Sequence, residues 1–165
     1  VERLSGAAVD AAGFRDVLGR FATGITVVAG LDGDGRPAGF ACQSFASLSL
    51  DPPLVMLAVG RQSSSWPRIA GTGRFCVNIL AAHQQDVCAA LGRSGPGKFD
   101  GVLWTTGEHG TVHLDGALAH VDCAVQAVYE EGDHYLVTAR VLALDAREDG
   151  RPLLYFRSRY AVGAF

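Results

Sequence analysis

The feature that most constrains this chain lies in its last third. Two long runs rich in apolar and β-branched residues, 118–130 and 134–144, are hinged on Gly132-Asp133. Two parallel strands need a crossover of a dozen or more residues, so strands this close in sequence must pair antiparallel. Shorter strands are predicted near 111–114 and 152–156, with glycine-bearing turns at Gly116 and Gly150. The first half continues the pattern. A β-branched run at 23–30 is followed by the hairpin-like turn Asp32-Gly33-Asp34-Gly35 and a returning strand at 39–45. Pro52-Pro53 precedes the continuous apolar run 54–59, of the kind found in a strand covered on both faces, and 74–80 reads as a further strand.

Helices are fewer. Phe14, Val17, Leu18 and Phe21 recur at helical spacing over 10–20, with Asp10 placed to cap the start. Ser63-Ser64-Ser65-Trp66-Pro67 reads as a helix start running to about Ala70, stopped by Gly71 and Gly73. Residues 83–91 look helical, and 92–97 form a loop with three glycines and a proline. Long antiparallel strands without crossover helices exclude a doubly wound sheet. They predict a mostly β fold with peripheral helices, a closed or nearly closed antiparallel barrel, as a single domain over 1–165.

Composition narrows the partners. A hydrophobic fraction of 48%, a charged fraction of 19% and a net charge of −3 exclude both a disordered acidic chain and a basic nucleic-acid arm. No apolar stretch approaches the ~18–20 residues of a bilayer span. The first 25 residues carry Glu2, Arg3, Asp10, Arg15, Asp16 and Arg20, unlike a signal peptide, so a soluble cytoplasmic protein with no membrane partner is expected. Cys42, Cys76, Cys88 and Cys123 include no Cys-x-x-Cys pair and read as free buried thiols.

Phosphate-loop, His-Glu-x-x-His and Gly-x-Ser-x-Gly signatures are missing from the sequence. Gly71-Thr72-Gly73 has Cys76 where a dinucleotide fingerprint needs its third glycine, and it precedes a strand, so it reads as a turn. His109, His113, His120 and Cys123 could be offered as a metal site. On strands, however, residues four apart stand ~13 Å apart, too far for one tetrahedral zinc. Solvated or turn histidines, and no metal, are expected.

The stretch from Ala41 to Ser49 sets small and hydroxyl residues beside Asp51-Pro52-Pro53. Small side chains let a flat ligand approach the backbone, and serine hydroxyls can reach heteroatoms on its rim; an ordinary polar strand edge would look the same. Ser63 and Ser65, at a helix start, suit either a phosphate or plain capping. His134 follows a tight turn, where a histidine is ordinarily solvated but would here stand at a barrel rim.

Taken in order, Thr23-Gly24-Ile25-Thr26-Val27-Val28, the segment Ser-Phe-Ala-Ser-Leu-Ser-Leu-Asp-Pro-Pro-Leu-Val at 44–55, Arg-Phe-Cys-Val-Asn-Ile-Leu-Ala-Ala at 74–82, Leu-Asp-Gly-Ala-Leu-Ala at 114–119, Gly132-Asp133-His134 and the terminal 154–160 resemble the short-chain flavin reductase family. The resemblance runs from about Phe14 to Tyr160. It implies the FMN-binding split β-barrel and an NAD(P)H-dependent reductase that reduces FMN or FAD and supplies it to a flavin-dependent oxygenase component. By the same resemblance, Cys42, Gln43, Ser44, Ser47 and Ser49 cradle the isoalloxazine and ribityl chain, and Ser63 and Ser65 contact the flavin phosphate. Asn78, Ala82 and Gln84 line the flavin, Phe99 and Tyr160 are pocket aromatics, and His134 stands beside the nicotinamide of NADH or NADPH. A homodimer is implied. The alternatives are a flavoprotein oxidase of the pyridoxamine-phosphate-oxidase-like branch and a non-catalytic flavin-binding module.

Overall fold

A computed structural model describes residues 8–162. Helix α1 spans Ala11–Leu18, and Asp10 caps it as expected, its carboxylate accepting from the Gly13 N–H. There follow β1 (Thr23–Gly24), β2 (Thr26–Leu31), β3 (Pro37–Cys42), β4 (Phe45–Leu50), β5 (Pro53–Gly60), α2 (Trp66–Thr72), β6 (Arg74–Ile79) and α3 (Gln85–Gly92). The remainder is β7 (Trp104–Thr106), β8 (Val112–Leu114), β9 (Ala119–Glu131), β10 (His134–Ala146), β11 (Leu153–Phe156) and β12 (Arg159–Val162).

Seven strands make one sheet in the order β3-β2-β6-β9-β10-β5-β4, antiparallel at every step. The β9–β10 hairpin is its backbone. It turns through Gly132, at φ +62, and keeps register from His134 opposite Glu131 to Ala146 opposite Ala119, with irregularities near Ala139 and Ala143 that bend a ladder otherwise too long to curl. The inward residues Val28, Leu57, Val59, Phe75, Val77, Cys123, Val137 and Ala139 meet in one cluster, which Trp66 and Ile69 of α2 join. One shared interior for strands from across the sheet makes it a barrel. The edge strands β3 and β4 do not pair with each other, so the barrel is split. Phe75, Leu57 and Ile69 are fully withdrawn from water, contributing roughly 1.5–3 kcal/mol each.

Period-two alternation sends Val27 and Ala29 of β2 outward, where Leu80, Cys88 and Leu91 of the α3 side, Val112 and Leu114 of β8, and Leu153 of β11 cover them. This second core explains why β2 is apolar on both faces. Several details differ from the sequence reading. The strand expected at 39–45 breaks at Gln43, where the chain crosses the split. The stretch after it is a full strand, β4, whose outward residues are exposed because it is a sheet edge. The run 23–30 is interrupted at Ile25, whose N–H donates to Leu153 O while its carbonyl accepts from Leu80 N. Strands β7 and β12 were not foreseen; β7 is three residues long, and β12 reads Arg159-Tyr160-Ala161-Val162, all exposed. Helix α1 is amphipathic as predicted, yet it buries none of its residues, and Phe14, Val17 and Leu18 face solvent.

Candidate functional site

The split also holds a hollow. As the chain leaves β3, Ser44 Oγ donates to Ala58 O at 3.0 Å and accepts from Ala58 N at 3.2 Å, while the Cys42 thiol reaches the same carbonyl at 3.8 Å. These contacts fasten the crossing segment to β5 at one point. Beside them opens a cleft of about 960 Å³, walled by 40–44 on one side, 58–60 on the next, 62–64 at the foot of α2, and Cys88 to Ser94 with Lys98 opposite. His134, Tyr155 and Tyr160 complete the rim. Gly60, Ala58, Ser63 and Ser64 leave much of the backbone bare, which suits a flat ring system lying close to the strands.

His134 begins β10 directly after the turn. Its Nδ1 donates to the Asp133 carboxylate at 2.6 Å, and that bond holds the Asp133 carboxyl below the usual carboxylate range. In the neutral ring that donates from Nδ1, Nε2 carries the lone pair. It leans toward Gly60, 3.9 Å from where a β-carbon at that glycine would sit. The imidazole therefore presents an acceptor at the cleft rim.

The opposite end is cationic. The Arg93 guanidinium donates to Gly97 O at 2.7 Å, and Lys98 Nζ donates to Gly39 O, Ser65 Oγ and Leu91 O at 3.2–3.3 Å. Neither has a carboxylate partner among the described residues. Partial burial pushes the Lys98 ammonium down, and Arg93 adds to the effect. Two like charges held together in this way favour an anionic guest. The cleft thiols are inert by contrast. Burial pushes Cys42 up, and it also pushes up Cys88, which accepts a long bond from the Tyr160 hydroxyl at 3.5 Å. That contact with Cys88 takes the Tyr160 phenol up to about 12.

Of the residues singled out from sequence, the cleft brings together Cys42, Gln43, Ser44, Ser63, Tyr160 and His134. Ser63 Oγ also accepts from the N–H of Trp66, the first residue of α2, at 3.2 Å. The others stand elsewhere, for physical reasons. Ser47 and Ser49 lie on the sheet-edge strand β4, flanking an irregularity opposite β5. Asn78 is fully buried in the second core: its amide donates to Val27 O and Val112 O and its carbonyl accepts from Leu114 N, so it ties β8 to the sheet. Gln84 is buried as well, accepting from Ala81 N and donating to Asp115 O. Ala82 is held by its backbone to Arg151 O. Ser65 donates to Gly39 O at 2.7 Å, and with Phe99 it lines a smaller neighbouring hollow.

Sequence reading missed Gly60, Cys88, Arg93, Lys98 and Tyr155. Only Lys98 carried a signal, as the one lysine in the chain. It also misjudged two histidines. His113 and His120 are largely buried and stack face to face with centroids 4.4 Å apart. His113 Nε2 and Thr111 Oγ1 both reach the same oxygen of the buried Asp122, at 2.8 and 2.7 Å, and Cys76 Sγ lies within 4.8 Å of the His113 and Asp122 ligand atoms.

Comparison with known proteins gives a consistent outcome. Residues 18–164 match the model of the flavin reductase like domain. The chain is 48% identical over 153 residues to the reductase subunit HsaB of a flavin-dependent monooxygenase from Rhodococcus jostii, covering 93% of this chain and 78% of that protein. It is 38% identical over 152 residues to the FMN reductase (NADH) SmoA of Agrobacterium fabrum, covering 92% and 84%. Among solved structures, the NADH:FAD oxidoreductase SgcE6 of Streptomyces globisporus, in complex with NAD and FAD fragments, superposes with a TM-score of 0.88 at 32% identity, covering 96% and 98%.

Proposed function

Because this chain belongs to the flavin reductase like family, we propose that its split-barrel cleft is where FMN or FAD takes a hydride from NADH or NADPH before passing to a separate flavin-dependent oxygenase. The observation that carries this reading is the polarity of the cleft. A neutral stretch bared by Gly60, Ala58 and Ser44 lies between the His134 imidazole at one rim and, at the other end, Arg93 and Lys98, neither with a carboxylate partner among the described residues.

Bound there, a flavin supplies the hydride-accepting ring. The chain's own contribution is placement. The short side chains of 58–60 and Ser44 let two planar heterocycles stack with reacting atoms ~3–3.5 Å apart. In its neutral form, donating from Nδ1 to Asp133, His134 presents Nε2 at the rim to receive a hydrogen bond from the nicotinamide carboxamide. Arg93 and Lys98 neutralise phosphate at the other end. Cys42 and Gln43 form the wall where the chain crosses the split, and Ser44 fixes that crossing. No side-chain nucleophile is called on, in keeping with the buried, protonated thiols. Openness toward solvent suits a flavin that must leave after reduction.

The exposed apolar face of α1, with Phe14, Val17, Leu18 and the nearby Phe21, calls for a covering surface, and a second copy of the chain is the partner we assign to it. Among the described residues, no helix is long and apolar enough to cross a membrane. The cytoplasm, with its pool of reduced nicotinamide, is the compartment proposed. The test is to mix purified protein with NADH or NADPH and excess FMN, FAD or riboflavin in air and follow the nicotinamide absorbance. Oxidation that depends on added flavin is expected. Tightly copurifying flavin without nicotinamide oxidation would point instead to an oxidase or a binding module.

A further inference from the structure

We propose that the smaller hollow adjoining the cleft is an adenylate subsite, so that the flavin this protein holds best is FAD. The proposal rests on the flavin reading above and deepens it. The hollow, about 340 Å³, lies between the start of β3, α2 and the loop 95–100, and Ser64 and Lys98 line both it and the main cleft. A ligand can therefore pass from one to the other beside the Lys98 ammonium. The volume falls at the low end of the ~300–1,000 Å³ typical of small-ligand sites, enough for a nucleoside but not for a second flavin.

The charges are ordered along this path. Lys98 at the junction and its neighbour Arg93 on the cleft side have no carboxylate partner among the described residues, which suits the two negative charges of a pyrophosphate. Deeper in, the cations are already spent: Arg68 pairs with Asp32 at 2.6 Å and Arg36 with Asp34 at 3.0 Å. The hollow itself is thus close to neutral. Pro37, Pro96 and Phe99 give it apolar faces, and the exposed Asp100 carboxylate offers an acceptor at its rim. Apolar walls with a carboxylate acceptor at the rim fit a heterocyclic base bearing an amino group, with ribose hydroxyls nearby, better than they fit another phosphate. Phosphate first and nucleoside second is the order in which FAD continues beyond the FMN portion. FMN would fill the cleft and leave this hollow without a guest.

Adenylate has a second source, the nicotinamide dinucleotide, and the experiment separates the two. Binding of riboflavin, FMN and FAD to the whole chain is measured by calorimetry, with and without millimolar adenosine, which has no phosphate to collide with that of FMN. FAD should bind about tenfold or more tighter than FMN, and adenosine should erode that advantage while leaving FMN unchanged. Asp100→Ala should weaken FAD about threefold or more and leave FMN unaltered. Equal affinities for FMN and FAD, or indifference of FAD to adenosine, overturn the proposal while sparing the flavin reading. Adenosine that raises KM for NADH at saturating FMN without affecting FAD binding also overturns it, by giving the hollow to the dinucleotide. If neither riboflavin nor FMN binds, the flavin reading itself fails and the subsite falls with it.

Discussion

Adding one methyl group to the cleft wall should raise the stability of this protein and lower its activity. At Gly60 an ideal β-carbon meets a single atom within 4 Å, His134 Nε2 at 3.9 Å, and the residue does not require a positive φ. Gly60→Ala therefore costs the folded protein no collision, and the alanine narrows the unfolded ensemble, a gain of about 0.4–1 kcal/mol. For a domain of this size that raises Tm by about 1–4 °C. The methyl stands ~1.5 Å off the backbone, one carbon–carbon bond, in the space between the strand and the imidazole. A ring lying against that backbone must rise or slide by about 1 Å, and misplacement on that scale costs about 10²-fold in rate. Scanning calorimetry paired with steady-state NADH oxidation at saturating flavin reads both effects. A variant with kcat and KM within twofold of the parent would refute a ring seated over Gly60, and a lowered Tm would mean the β-carbon meets protein after all.

Other expectations follow from the same geometry. Asn78→Ala, which strips Leu114 N–H of its buried acceptor, should lower unfolding free energy by roughly 2–4 kcal/mol in urea titrations while flavin affinity stays within twofold, since this residue ties β8 to the sheet and does not line the cleft. The Arg68 hydrogen bonds hold the Asp32 carboxyl below its ordinary value, so their stabilisation is present above the unfolded carboxylate range and disappears as pH falls through the lowered folded value. Asp32→Asn should thus be less stable than the parent at pH 7, and chemical unfolding at descending pH should show the gap closing only in acid. Cys42 and Cys88, raised by burial, should react with iodoacetamide at pH 7.5 far more slowly than free cysteine, by mass spectrometry, and more slowly still with flavin present.

The fold was legible because its determinants are local. The tight turn at Gly132 forces two thirteen-residue strands to pair, the β-branched run at 23–30 announces a strand, and Asp10 marks a helix start. Where prediction slipped, the cause was tertiary. Nothing local says that Gln43 crosses a split, or that β4 is an edge, because both depend on where a sheet fails to close. Site residues divided along the same line. His134 and the Cys42 to Ser44 crossing are brought to the cleft by turns and strand ends, features that sequence displays. Asn78 and Gln84 are polar residues set in apolar surroundings, a pattern shared by ligand contacts and by satisfied core amides, and only their partners distinguish the two. Arg93 and Lys98 sit in a glycine-rich loop, where the lack of a carboxylate partner, the property that makes them informative, belongs to the fold. His113 and His120 were read as solvated because spacing along one strand was considered, whereas the stacking joins β8 to β9.

The central claim is that hydride passes within a fixed stack of nicotinamide on flavin, seated in the split of the barrel with His134 at its rim. It is tested most directly by anaerobic rapid mixing of the flavin-loaded protein with NADH deuterated at C4 on one face or the other. One epimer should slow flavin reduction by a primary isotope effect while the other reacts at the unlabelled rate. Equal rates for both epimers with deuterium appearing indiscriminately in the product, or no reduction at all, would contradict a structured transfer in this cleft.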